Sequence, residues 1–171
     1  MAKKKTSQDS GSSSGKGTKE LKIVTIQAVT RDKVVSNKRQ MGLLYIIDRL
    51  GPIHERTLQQ IAYDLQQEGA SLGYNFSVVG GTPYSPELKS DLVALMYVGF
   101  VETEPRMYRR IRITGDGKEA LEKHNPPAGI VEILEKNFEN LRNKASLLDS
   151  QINLEIRRKL ESMRRPRRSL F

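Results

Sequence analysis

Apolar positions along residues 38–124 recur first at helical and then at strand spacing. Met41, Leu44, Ile47 and Leu43, Ile46, Leu50 step by three and four residues, which predicts a helix over 38–50 with a wide apolar face. Gly51 and Pro52 close it, one as a left-handed cap and one as a residue unable to continue. A second helix is expected from Thr57, with Gln60 completing a capping box and Leu58, Ile61, Ala62 and Leu65 facing inward up to Gly69. The link ASLGYNFSVVGGTPY reads as a loop with a short extended piece over 76–79. A third helix follows Ser85, an N-cap, and Pro86, which suits the first helical position. Leu88, Leu92, Leu95 and Met96 form its stripe, and Gly99 ends it. Residues 100–103 and 109–113 alternate like two strands around Glu104-Pro105-Arg106. A fourth helix is predicted over 116–123, stopped by Asn125-Pro126-Pro127.

The pattern changes at both ends. Leu134, Phe138, Leu141, Ala145, Leu148 and Ile152 step by 4, 3, 4, 3, 4, a heptad seam that slips at Ile152 and continues through Ile156, Leu160 and Met163. One long helix over 128–163 is expected, and a stripe this narrow needs a partner helix. Pairing with a second copy as a coiled-coil homodimer is the favoured solution, and packing back onto the same chain is the alternative. At the other end, residues 1–20 are polar and Gly/Ser-rich, a composition expected to stay disordered. Residues 21–37 form a basic lead-in, with a strand expected over 21–29, and 164–171 form a basic tail.

Charge sharpens this division. The net charge of +9 is concentrated at the ends. Residues 1–40 hold ten Lys/Arg against three acids and residues 155–171 hold seven against two, while 41–154 hold twelve against fifteen. Basic arms around a slightly acidic body predict a polyanionic partner, with solubilising tails as the plainer explanation. The chain has no cysteine, which removes disulfides, thiolate catalysis and Cys-based zinc sites. His54 and His124 are not at metal-ligand spacing, so no metal and no cofactor are expected. No P-loop, HExxH or nucleophile motif occurs, and an enzyme is not expected. Without a membrane-length apolar run or a signal-peptide core, a cytoplasmic, nucleoid-associated protein is expected.

Two stretches carry a family resemblance. ITGDGKEALEKH, residues 113–124, is similar to the wing-to-helix junction of archaeal and bacterial winged-helix regulators. LGYNFSVVGGTPYSPELKSDLVALMYVGFVE resembles the YwgA-like and Panacea-type winged-helix groups, with one residue inserted in their Gly-Pro-Tyr-Ser turn. The chain therefore resembles the winged helix-turn-helix family over about residues 38–124. This implies a winged-helix domain there; with the heptad segment, which lies outside the resemblance, the expected chain is mainly α of the α+β class, a winged-helix domain followed by a long coiled-coil helix.

The resemblance bears on the fold, and the charge and side-chain chemistry placed on that fold give the candidate residues their expected roles. The third helix would enter the major groove of double-stranded DNA with Ser85, Lys89 and Ser90. RMYRRIRI puts Arg106, Tyr108, Arg109, Arg110 and Arg112 on one hairpin, suited to backbone phosphates or a narrow minor groove. Lys38 and Arg39 open the first helix and extend the basic surface. The plainer reading of the hairpin pairs its arginines with Glu102 and Glu104. Asp91 on the third helix would repel phosphate unless an arginine pairs with it. RNA is an alternative ligand, and a protein-docking module using Tyr74, Phe76, Tyr84 and Tyr97 is another.

Overall fold

A computed structural model describes residues 29–104 and 108–164. The strand expected over 21–29 lies outside them except for Val29, as do Arg106 and the tails at 1–20 and 165–171. The chain is mostly helical with two small antiparallel sheets, an α+β architecture.

The lead-in contains a short helix that the sequence pattern did not announce. In α1 (Arg31–Ser36) the Thr30 hydroxyl accepts from the Lys33 N–H and Val34 is buried. Helix α2 (Lys38–Leu50) follows, capped by the Asn37 side chain and closed by Gly51 at φ 77°. Ile53 then exchanges backbone hydrogen bonds with Ile111, at 3.0 and 2.7 Å, and so adds one bridge to the later hairpin. Helix α3 (Glu55–Gln67) starts two residues before the expected capping box. Thr57 does not cap it. The Thr57 hydroxyl instead donates to Asp149 at 2.5 Å, a partner 92 residues away.

The extended piece expected over 76–79 is one arm of a hairpin. Strands β1 (Ser77–Val79) and β2 (Thr82–Tyr84) pair around Gly80-Gly81, whose φ values of 58° and 78° suit a primed two-residue turn. Helix α4 (Pro86–Tyr97) begins as predicted, with the Ser85 hydroxyl accepting from Leu88 N–H and Pro86 at its first position. Strands β3 (Val101–Thr103) and β4 (Ile111–Ile113) form the second hairpin. Helix α5 (Gly115–Lys123) is capped by Thr114, whose hydroxyl also donates to the Gly99 carbonyl at 2.6 Å.

The C-terminal region departs most from expectation. The single helix predicted over 128–163 is split at Asn137 into α6 (Ala128–Lys136) and α7 (Phe138–Arg164). Its apolar seam is not held open for a partner along its whole length. Leu134 and Ile130 are fully buried against α2 and α3, and Leu141 and Ala145 join the same core. The alternative of packing on the same chain therefore holds for the first half. Phe138 is half-buried under the Arg49 guanidinium, 4.9 Å from its ring, and Leu148, Ile152 and Ile156 are half-buried. Beyond them Leu160 and Met163 are exposed.

Polar contacts pin the two final helices. Arg49 and Tyr45 of α2 donate to Glu135 of α6 at 2.6 to 2.8 Å. Those bonds, Arg49 first, hold the Glu135 carboxyl below its usual 4.5. Burial first, then Glu135, pushes the Tyr45 hydroxyl up from 10.0 to about 12. The Glu135 contribution to stability is thus complete above about pH 4.5 and disappears as pH falls through the lower folded value. The Tyr45 contribution is complete below pH 10 and fades as pH rises towards 12. Glu135→Gln is expected to weaken the acid dependence of melting and let Tyr45 ionise nearer to pH 10. Ultraviolet tyrosine titration reads this directly, and unchanged curves would remove the cluster.

Candidate nucleic-acid interface

The candidate residues lie on α4, the β3–β4 hairpin and the start of α2. Burial sorts α4 into two faces. Leu88, Asp91, Leu92 and Leu95 point inward, while Lys89, Ser90, Val93 and Tyr97 are exposed. Two of these, Val93 at 56% and Tyr97 at 63% exposure, are apolar or aromatic, so the outward face is only partly polar. Ser85 is fully buried and serves the helix, hydrogen-bonded to Glu87 and, through its backbone, to Gln59. It is removed from the contact surface. Glu87 likewise serves the helix start: the Ser85 hydroxyl first, then its own backbone N–H, hold its carboxyl below the usual range.

Asp91 has the arginine partner that phosphate binding would require, and that partner is Arg39. The Arg39 Nε donates to Asp91 at 2.6 Å, Gln40 at 2.8 Å and the Tyr74 hydroxyl at 3.1 Å. The guanidinium lies 5.0 Å from the Tyr74 ring centroid. Burial is the largest influence and lowers the Arg39 pKa, but the Asp91 hydrogen bond and the nearby negative charge, Asp91 foremost, together leave it raised. Arg39 is therefore a brace between α2 and α4 and leaves the candidate surface. Lys38 beside it remains exposed.

The hairpin follows its plainer reading in part. Arg112 pairs with Glu102 at 2.7 Å and Arg110 lies 3.6 Å from Glu104. These two pairs differ in what they leave free. Arg112 and Glu102 are each about half exposed, at 49% and 48%, and such surface pairs contribute about 0–1 kcal/mol, so a phosphate competes readily. Arg110 is turned inward with a buried Nε, and Glu104 is only 16% exposed. Arg110 is a structural residue here. Arg109 is exposed and adopts φ 43°, the single positive value among described non-glycine residues.

Tyr108 makes a contact that no local sequence pattern announces. The Arg157 Nε of α7 donates to its hydroxyl at 2.6 Å, with the guanidinium 5.8 Å from the ring centroid. That hydrogen bond is the main cause of a raised Arg157 pKa. Asp149 receives the His54 N–H and Thr57 hydroxyl, Asn153 meets His54 Nε2 at 2.9 Å, and Glu155 pairs with Arg56. Helix α7 thus lies along the start of α3 and reaches the hairpin. This sets Arg157 against Tyr108; Arg158 and Lys159, the next two residues of α7, are exposed. No helix among the described residues is long and apolar enough to cross a membrane. Scans against family models, curated proteins and solved structures find no match to this chain.

Proposed function

We propose that the chain is a winged-helix protein that binds double-stranded DNA. The element order supports this reading: α2, the Ile53 bridge, α3, α4, then the β3–β4 hairpin as wing, with the β1–β2 hairpin inserted between α3 and α4. Arg157 against Tyr108 is the observation that carries it, because it gathers the basic end of α7 at the hairpin. The cationic set is Lys38, Lys89, Arg109, Arg112, Arg157, Arg158 and Lys159, supplemented by the arms. Helix α4 supplies orientation through Lys89 and Ser90, and affinity comes chiefly from phosphate contacts. A transcription regulator or chromatin-associated role accords with this chemistry.

Self-association belongs to the same proposal, through a shorter surface than the full heptad seam. Leu160 and Met163 continue the seam beyond half-buried Ile156, where two copies would bury them together. Deleting residues after 128 is a poor test because it also strips Ile130 and Leu134 from the core. Leu160→Glu with Met163→Glu is the cleaner one; an unaltered sedimentation coefficient would exclude this seam.

Duplex binding is measured by fluorescence anisotropy across a salt series. Replacing Arg109, Arg157 and Arg158 with alanine is expected to weaken binding and reduce the log–log salt slope by about 0.9 for each phosphate left without its cation. Equal affinity and slope in the triple variant would remove this surface from the mechanism. Structured RNA at matched salt distinguishes the two polyanions. A protein-docking reading draws on exposed Val93 and Tyr97, and binding insensitive to salt would favour it.

A further inference from the structure

Between the first turn of α3 and the β1–β2 hairpin lies an open cleft of about 570 Å³. Val79, Pro83 and Tyr84 line its hairpin side, Glu55 and Arg56 its helix side, with Gln59 between them. Its wall is predominantly apolar, yet Val79 remains 60% exposed, so that apolar surface has no cover from the described chain. The volume falls within the range of small-molecule sites, ~300–1,000 Å³, which combine apolar walls with a few placed polar groups.

The charges at its edge are opposite and adjacent. Glu55 lies 3.9 Å from Lys89, and Arg56 lies 3.2 Å from Glu155 and 3.3 Å from the Thr82 hydroxyl. All four charged side chains are about half exposed, so neither ion pair is a strong claim on its members. A ligand bearing both an ammonium and a carboxylate satisfies Glu55 and Arg56 together without burying an uncompensated charge. A ligand of one sign would leave the other group idle. The apolar wall asks for a hydrocarbon portion on the same molecule.

We propose that this cleft binds a free α-amino acid with a large apolar side chain. The side chain lies against Val79, Pro83 and Tyr84, the carboxylate meets Arg56, and the ammonium meets Glu55. The cleft floor is tied to α4: Gln59 donates to the Ser85 carbonyl at 3.3 Å and accepts its N–H at 3.0 Å. Occupancy should therefore be felt at the cap of α4 as well as in the hairpin.

The full chain, without nucleic acid, is titrated with L-leucine or L-phenylalanine while backbone amide signals are followed by NMR. Saturable shifts are expected at Val79, Thr82, Tyr84 and Ser85, with a Kd at or below ~1 mM. The N-acetyl and the carboxamide derivatives should each bind about tenfold more weakly, because each removes one charge-assisted hydrogen bond. Arg56→Gln should erase the difference between acid and amide, and Glu55→Gln that between amine and acetylated amine, with melting temperatures confirming both variants folded. Absence of shifts at about 10 mM of either amino acid overturns the proposal. So does equal binding of the blocked derivatives.

Discussion

Asp91→Ala is expected to destabilise the chain by about 2–4 kcal/mol, somewhat below the ~3–5 kcal/mol for breaking a fully buried ion pair because Arg39 keeps 34% exposure. The substitution takes the acceptor from three donors at once: Arg39 Nε, Gln40 Nε2 and the Tyr74 hydroxyl. Tyr74 is 2% exposed, and its hydroxyl would lose its partner without gaining free access to water. Burial is also the main cause, ahead of Asp91, of a hydroxyl pKa raised far above the ordinary tyrosine value. In a chain of this size the loss corresponds to a fall of roughly 10 °C in melting temperature. Asp91→Asn retains an acceptor and should lose about half as much. Replacing Asp91 with Leu and Arg39 with Met together should recover only part of the loss, since it removes the charges as a pair but leaves the Tyr74 hydroxyl without its acceptor. Thermal and urea melts measure all three. A loss below about 0.5 kcal/mol for Asp91→Ala, the level of an ordinary surface change, would mean that the brace does not form.

Gly117→Ala is expected to lose about 3 kcal/mol or more, although alanine favours a helix by roughly 1 kcal/mol over glycine. A Cβ at this position of α5 would overlap the Phe100 carbonyl oxygen and stand 2.7 Å from Ile113 Cγ1. The obstructing oxygen is backbone, and it already accepts from Thr114 N–H at 3.0 Å, so it has nowhere to yield. Gly42→Ala provides the contrast. Its added carbon would meet Ile130 Cδ1, the far end of a flexible side chain, and the expected loss is about 1 kcal/mol after the helix gain is counted. Melts of the two variants side by side decide the matter. Similar stability of both, or a stabilised Gly117→Ala, would show that α5 does not approach the strand this closely.

These two positions also show what is readable in the chain and what is not. The helices at 38–50 and 86–97 are legible because their punctuation is local: Gly51-Pro52 at one end, Ser85-Pro86 and Gly99 at the other. The glycine of the GDGKEAL run is visible as part of a resemblance, but its reason, a carbonyl 17 residues earlier, depends on how α5 meets β3. Asp91 poses a question that only an arginine 52 residues away answers. Thr57 offers a plausible local cap, and a buried carboxylate on α7 outcompetes it. The β1–β2 hairpin does have a local signal, Gly80-Gly81 between short β-favouring runs, and the extended piece over 76–79 captures only half of it. Seam residues from Leu134 to Ala145 carry the right period but not the identity of their partner. Periodicity reports that a stripe is covered and is silent on what covers it.

Helix α7 touches the fold where the bridge to the hairpin begins. His54, held by Asp149 and Asn153, follows directly on Ile53, whose two backbone hydrogen bonds reach Ile111. Helix α7 is therefore connected to the base of the hairpin through two consecutive residues, His54 and the buried Ile53. Under the proposed reading, a second copy gripping the end of α7 would sit two hydrogen-bonded steps from the strand that carries the hairpin's arginines, a short path between pairing and DNA contact.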